Sequence, residues 1–528
     1  MFFRVSGEAI PKLLPLPSEA SYATDFCVLS ASLYFAYVPR KNPTFHEFIL
    51  QSAVERANDS VQGLFARSSN LVEDCGVVNC TVEPKEVSRG LDSDPSSEEY
   101  SITFESGSSD CRIGCNSVYG CMHGLTTFLQ LINPVVGFAI PIKTAIRDRP
   151  AFSYRGVLID TGRRFLPVSL IRTHLDLMSA AKMNVLHWHI VDDHSFPLRV
   201  RSFPLLWQRG SYGSRAQYSW EDVRSVVEYA SERGIRVVPE IDIPGHTESW
   251  MKGYPELLGI AKSAIDPTRE ENYEFLEVLL SEVAEMFRSE IAPVTIHLGG
   301  DETWDGWDTP AIRDWMIRHE MVQGKKDLAK YWISRISQIA KKIKVKIVLW
   351  EDFLTDLADD VSELSPEIAW EMWQRPISES EKFAVKTNTS VVFATDFYLD
   401  HLKLDWPDFY GVDMGPPASW LLGGEACMWG ESVDESNFIS RVWPRAAAVA
   451  ERLWTNPTTP ATAATSRLAT WVCRMRHLFG HPTVGPVGQT RSDNPDELWT
   501  WHTEKEQWYC GEQDTMEVGV IGFVVLDG

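Results

Sequence analysis

Two adjacent carboxylates, Asp301 and Glu302, close the string His297-Leu298-Gly299-Gly300-Asp301-Glu302. Side by side in one pocket, two such groups push their pKa values apart, so one can carry a proton while the other stays charged. They have company. Asp160 with Arg163, Asp192-Asp193-His194, Glu240-Ile241-Asp242 with His246, Trp350-Glu351-Asp352, Trp373, Asp396 with Tyr398-Leu399-Asp400, and Trp429-Gly430-Glu431 each follow a short apolar run. A lone acid after a strand usually caps a helix. Eight coincident clusters of acid, His, Arg and Trp point instead to one shared site. Acids that accept hydrogen bonds, an Arg fork that donates them and indole faces suit a polyhydroxylated ring. The composition agrees, with 20 Trp against 15 Tyr.

The runs that precede these clusters are the elements that must position them. They cover residues 156–160, 184–190, 235–240, 294–298, 346–350, 368–373, 390–394 and 424–429, mostly separated by room for a full helix. Eight β/α repeats over such a stretch predict an α/β fold, a (β/α)8 TIM barrel with its active site at the C-terminal strand ends. The short gaps after the fifth and sixth runs predict one distorted repeat. A doubly wound sheet is disfavoured, because no G-x-G-x-x-G turn follows the first strand. Ahead of the barrel, residues 1–150 read as a smaller α+β domain. Tyr100–Phe104 alternates like a half-buried strand, and Leu125, Phe128, Leu129 and Ile132 mark a helix ended by Pro134. Ser88–Ser97 reads as an exposed loop and Arg147–Pro150 as a linker. The expected division is 1–150, a catalytic barrel over 151–480 and a C-terminal extension over 481–528. Trp188 and Trp370 are expected to fill the barrel, and Trp471 and Trp499 to pack away from the site.

The 528-residue chain is 44% hydrophobic and 23% charged, a globular balance that excludes fibrous and disordered classes. Its formal charge of −23 makes it a poor ligand for a nucleic-acid backbone. No apolar stretch approaches the length of a spanning helix. The nine cysteines show no C-x-x-C pair and gather outside the middle of the chain, which fits local disulfides in an oxidising compartment. Sequons at Asn58, Asn79 and Asn388 agree with export. The start, MFFRVSGEAI, lacks the apolar core of a signal peptide, so it reads as a mature or truncated end, or as that of a chain kept inside.

The strings RGVLID at 155–160, NVLHWHIVDD at 184–193, PEIDIPGH at 239–246, HLGGDE at 297–302 and GGEACMWGE at 423–431 closely resemble glycoside hydrolase family 20. These are the β-N-acetylhexosaminidases, and the likeness is greatest to the eukaryotic lysosomal-type enzymes. It runs from about Pro15 to Cys510 and implies an N-terminal α+β domain before the barrel. It also implies a retaining exo-glycosidase that releases terminal β-linked GlcNAc or GalNAc, with the substrate's own 2-acetamido group as nucleophile. On this resemblance Glu302 is the general acid and base. Asp301 stabilises the oxazolinium intermediate, and Tyr398 bonds the acetamido oxygen. Trp350, Trp373 and Trp429 wall the sugar, Arg163, Asp400 and Glu431 bind its hydroxyls, and Asp192 and His246 tune the acid. Asp193, His189 and Glu240 stay outside this core set, since each could equally be structural.

The same resemblance calls for no cofactor and no metal, and implies a carbohydrate substrate, a homodimer and a lysosomal or secreted location. Cys473 and Cys510 fit its C-terminal bridge. Relatives carry a disulfide just after the Asp-Glu pair. Here Thr303–Trp307 has no Cys, nor has any position from 122 to 426, which implies a looser loop. Asp400 matches the form that takes neutral substrates, with His401 beside it able to become cationic in acid. Two rival readings are weaker. A metal-dependent hydrolase would use His187, His189, Asp192 and His194, but no further His–acid set assembles around them. A sugar-binding protein without activity would need to have lost Asp301, Glu302 or Tyr398, and all three are present.

Overall fold

The computed structural model describes residues 3–4, 11–23, 25–28, 33–65, 78–87, 90–91, 94–106, 111–132, 139–357, 368–477, 479–481, 483–487, 500–502 and 507–509. Eight parallel strands close a TIM barrel. In order they are Tyr154–Asp160, Val185–Val191, Arg236–Ile241, Thr295–His297, Lys346–Trp350, Ile368–Met372, Ser390–Phe393 and Leu421–Met428. The first pairs with the eighth in register Tyr154↔Gly423 through Ile159↔Met428, which seals the ring. The first two strands are buried along their whole length, as both faces of a covered parallel sheet must be. Helices Val168–Ala180, Trp220–Ser231, Glu270–Met286, Lys325–Ile343, Ile377–Thr387 and Arg445–Thr455 surround them. The stripe Leu328, Trp332, Ile336 and Ile339 turns Lys325–Ile343 onto the barrel. Ser219 and Asp222 form a capping box that starts Trp220–Ser231. After the fifth strand, the described residues hold only the short helix Asp352–Leu357.

Trp188 is buried, but on the outer side of its strand. It packs against Tyr218 and Phe287 and donates its indole N–H to Thr161 Oγ1. Trp370 belongs to the same outer core. Alternation along each strand therefore turns their neighbours His187, His189 and Glu371 inward, so the barrel filling combines ionisable groups with apolar side chains such as Leu158, Val185, Val238 and Val392. Trp471 packs on Trp443 behind the helices, and Trp499 lies outside the described residues.

Ahead of the barrel, a six-stranded mixed sheet carries helices Phe45–Phe65 and Val118–Leu131. Tyr100–Glu105 is one of its strands. The helix read from Leu125 begins earlier, capped by Ser117. Disulfides Cys80–Cys111 and Cys115–Cys121 staple this sheet. Cys27 and Cys473 are disulfide-bonded too, and Cys510, the partner expected for Cys473, lies outside the described residues. The sequons differ in access. Asn79 and Asn388 are exposed. Asn58 is buried, accepting from the Phe35 backbone N–H at 2.8 Å and donating to its carbonyl at 3.0 Å.

The stretches read as loop and linker are in part regular and lead into buried acids. Pro95–Glu98 is a 3-10 turn capped by Asp94, with Ser97 and Glu98 buried. Arg147 and Asp148 end the strand Lys143–Asp148. Both acids are buried because they meet cations of the barrel. Asp148 accepts from Tyr100 at 2.6 Å, the Trp454 indole at 2.9 Å and Lys182 at 3.1 Å. Glu98 accepts two bonds from the Arg155 guanidinium, at 2.5 and 3.0 Å, and faces His123 at 2.9 Å. The indole of Trp454 lies against both cations. Polar sequence at these positions was a sign of pairing, not exposure. Burial works to raise the Glu98 pKa, but Arg155 and His123 outweigh it and hold it at about 2. The pair's contribution is thus fully present above the ordinary carboxylate range and is lost only as pH falls through about 2. Glu98→Ala should lower the unfolding free energy by about 3–5 kcal/mol, because Arg155 is left buried without its counter-charge. Denaturant titration at pH 5 and pH 7 should give the same loss. A loss under about 1 kcal/mol would mean the contact is incidental.

Candidate active site

The floor of the site is a column of charges inside the barrel. Tyr154 donates to Glu425 at 2.7 Å, and Glu425 meets His187 Nδ1 at 2.6 Å. His187 Nε2 lies 3.0 Å from Glu240 Oε2. The same oxygen meets His189 Nδ1 at 2.6 Å, and His189 Nε2 reaches Asp192 at 2.9 Å. Burial alone would keep both imidazoles neutral, but these carboxylates raise their pKa well above the ordinary value. Glu240 in turn stays ionised despite its burial, because His189, His297 and His187 face it. Its other oxygen accepts the Trp350 indole N–H at 2.7 Å, so the floor also fixes a wall.

Asp192 is the branch point at the rim. Its carboxylate lies 3.1 Å from Arg163 and 3.6 Å from His246, besides bonding His189. Arg163 also bonds Asp160 at 3.0 Å and lies 3.3 Å from Glu431. Its guanidinium sits 5.0 Å from the centroid of the Trp429 ring. His246 faces Asp192 with one nitrogen, and Asp301 at 3.4 Å and Glu302 at 3.7 Å with the other. Burial opposes its charge, but Asp242 and Asp301 dominate and push its pKa far up.

The loop that carries the two carboxylates is shaped by its glycines. Gly299 and Gly300 have φ of +62° and +101°. A Cβ on the first would collide with Asp242, and one on the second with the Phe353 ring. The Gly299 N–H donates to His297 Nδ1 at 3.0 Å, and the Gly300 N–H to Asp242 Oδ1 at 3.0 Å. Glu302 and His246 both take positive φ, +51° and +50°, a conformation that costs side-chain-bearing residues about 1–3 kcal/mol and gathers at functional sites. The pKa values of Asp242 and Asp301 separate. Burial and the Asp301 charge raise Asp242, whereas His246 overcomes burial to keep Asp301 below the ordinary range. Asp301 is charged, 16% exposed, with Oδ1 enclosed and unpartnered. The Glu302 side chain is 67% exposed at the mouth.

Opposite this loop stands an aromatic box. Trp350, Tyr398, Trp373 and Trp429 form one cluster with Leu158, Ala394 and Cys427. Tyr398 stacks 6.4 Å from Trp373, and its ring lies 6.4 Å from Trp429. Backbone bonds from Leu399 to Cys427 and from Cys427 to Phe397 pin it to the eighth strand. The Trp373 backbone N–H donates to Glu351 at 2.9 Å and its indole to Asp352 at 2.7 Å. Asp400 is half-buried with an unpartnered Oδ1, and burial raises its pKa.

All eleven residues singled out from the sequence thus lie around this mouth, and the structure adds others. Glu240 and His189, set aside as structural, are bonded to the Trp350 indole and to Asp192. Asp242, Glu351, Asp352 and Asp160 hold the loop, the walls and the Arg. The signal for them was ionisable residues at inward positions of otherwise apolar strands. Of the residues named in the metal reading, His189 faces a carboxylate with each nitrogen, and His194 is exposed and lies 3.1 Å from Asp192. His187, Glu240 and His297 bring candidate ligand atoms within 4.8 Å of one another, as do His189, Glu240 and Asp242. In the loop after the Asp-Glu pair, the Gly306 carbonyl accepts the Lys262 N–H at 2.7 Å and the buried Trp307 indole donates to the Ile265 carbonyl.

The family model described as glycosyl hydrolase family 20, catalytic domain, matches residues 152–457, and one described as beta-acetyl hexosaminidase like matches residues 13–131. The beta-hexosaminidase subunit beta of Mus musculus is 38% identical over 405 residues, covering 72% of this chain and 73% of that protein. The Homo sapiens subunit beta is 35% identical over 482 residues, covering 86% and 84%. Among solved structures, a Flavobacterium johnsoniae chitobiase matches with a TM-score of 0.75 at 29% identity, over 89% of this chain and 73% of that one. If the box holds a sugar ring, Trp429→Ala should weaken binding of free N-acetylglucosamine about 10- to 100-fold in titration calorimetry, losing a wall and the ring under Arg163. Unchanged affinity would place the sugar elsewhere.

Proposed function

The chain belongs to glycosyl hydrolase family 20 and is a β-N-acetylhexosaminidase, and from that premise we propose that it cleaves terminal β-linked GlcNAc or GalNAc by substrate assistance, with retention. The glycosidic oxygen takes a proton from Glu302 as the C1–O bond breaks. The 2-acetamido carbonyl oxygen bonds to C1 from the opposite face, forming an oxazolinium ion. Asp301 accepts the acetamido N–H and faces the growing positive charge. Glu302, now a carboxylate, takes a proton from water, which attacks C1 and reopens the ring. Two inversions restore the configuration. An internal nucleophile avoids a bimolecular entropy cost, and a fixed carboxylate stabilises the cation without reorganising. In this reading Tyr398 donates to the acetamido oxygen, while Arg163, Asp400 and Glu431 bind hydroxyls. His246 and Asp192 keep Asp301 charged.

The observation that carries this reading is Asp301: a half-buried carboxylate that His246 holds below the ordinary range while its neighbour Asp242 is pushed above it, with one enclosed oxygen that accepts no hydrogen bond among the described residues. Such an oxygen suits an amide N–H. The exposed Glu302 has the access to solvent that a residue exchanging protons with water needs. A lysosomal or secreted location is supported by the two disulfides and by the exposed sequons at Asn79 and Asn388.

Glu302→Gln should lower kcat about 10²- to 10⁴-fold on oligosaccharides and much less on activated nitrophenyl glycosides, where no acid is needed. Full activity on oligosaccharides would overturn the assignment.

Asp400 supports a preference for neutral sugars, since a carboxylate repels a sulfated substrate. Because burial raises its pKa, the charge fades in acid. The preference for plain over 6-sulfated GlcNAc glycosides should therefore be larger at pH 7 than at pH 4.5. A sulfated substrate favoured throughout would remove Asp400 from that role.

A further inference from the structure

Asp352 stands two residues after Trp350 and is given no contact with sugar in the proposed mechanism. Its two oxygens face different loops. Oδ1 accepts the backbone N–H of Glu302 at 3.3 Å, from the loop after the fourth strand. Oδ2 accepts the Trp373 indole N–H at 2.7 Å, from the loop after the sixth. Resting on the acid/base role of Glu302, we propose that Asp352 is a positioning residue whose carboxylate locks the backbone of Glu302 to the Trp373 wall, so that the acid and the sugar ring share one frame.

The exposed Glu302 side chain has no hydrogen bond among the described residues, so its reach is limited mainly by its backbone. That backbone has the strained positive φ. Small misplacements of a proton donor cost large factors in rate. Only a carboxylate accepts at both oxygens; an amide or a carboxylic acid turns a donor toward one of the two N–H groups. Asp352 changes between these forms in a useful range. Burial and the Asp301 charge push its carboxyl up to about 6, against the opposing bonds from Trp373 and the Glu302 backbone. The ionisable groups facing it are Asp301 and Glu302 on the fourth-strand loop and Glu351 beside it. Above about pH 6 both bonds are in place, and below it the lock is halved.

Asp352→Asn reproduces the neutral form at every pH. On an oligosaccharide, the wild-type to variant ratio of kcat/KM should be within about threefold at pH 5 and about tenfold or more at pH 7.5, with the loss in kcat. A ratio that is flat with pH, or a loss confined to KM, would overturn the inference. Trp373→Phe removes the indole donor and gives an independent arm. In that background Asp352→Asn should cost clearly less than in the wild type, and strict additivity would also overturn it. If Asp352→Asn melts below the assay temperature, the pH series on Trp373→Phe carries the test. Its deficit should likewise widen from pH 5 to pH 7.5, and a constant deficit counts against the lock. Glu302→Gln runs alongside. If it keeps full oligosaccharide activity, the catalytic assignment itself falls; if it is inactive while the Asp352 profile is flat, only the lock falls.

Discussion

Charge cannot be buried singly, and the interior of this barrel is built around that constraint. Glu240 is enclosed among His187, His189 and His297 and would be untenable without them. His187 and His189 each meet a further carboxylate on the other side, so the pairing propagates. It runs downward through Glu425 to Tyr154, and upward through Asp192 to Arg163 and His246. One of these uppermost links, His246, lies 3.4 Å from Asp301. The state of the reactive carboxylate is therefore the last term of a series that begins in the packed core. This also explains why the bulky strand tryptophans Trp188 and Trp370 point toward the helices: the inward positions are taken.

The second ordering principle is the use of side chains to hold backbone. The loop bearing Asp301 and Glu302 donates its N–H groups to His297, Asp242 and Asp352, which come from three successive strands. Glu351 does the same for the loop after the sixth strand, accepting from the N–H groups of Trp373, Gln374 and Arg375. Loops are ordinarily the mobile parts of such a fold. Here they are tied to strand ends by acceptors that sit one layer below the reactive groups. Preorganisation thus comes from residues that never need to meet the sugar.

Much of this was legible in the amino-acid sequence. The eight apolar runs lie where the strands are, because a covered parallel strand keeps its helix-facing side apolar even where its inward positions carry charge. The clusters at their ends converge because a barrel brings every C-terminal end to one mouth. What was not legible depends on partners distant in the chain. Asp148 read as a linker residue, and Glu98 directly follows the stretch read as a loop, since nothing local announces Arg155 and Lys182 across a domain boundary. Asn58 read as a glycan acceptor, since its tie to Phe35 is a contact of the folded sheet. Asp242 and Asp352 fall in the clusters without a role of their own, and Glu240 could equally be structural, because local pattern cannot tell an acid that ends a strand from one that supports a catalytic loop.

The contact between the N-terminal sheet and the barrel has a bearing on inheritance. Arg155 sits in the strand that closes the ring, and Lys182 at the turn that leads into the next. Both cations are neutralised by acids from the other unit and covered by Trp454 from the far end of the barrel. A barrel transplanted alone would carry two uncompensated cations against its own closing seam. The two units are therefore not interchangeable parts that recombination can trade separately. In this chain a change to the acids of one unit is a change to the closing seam of the other.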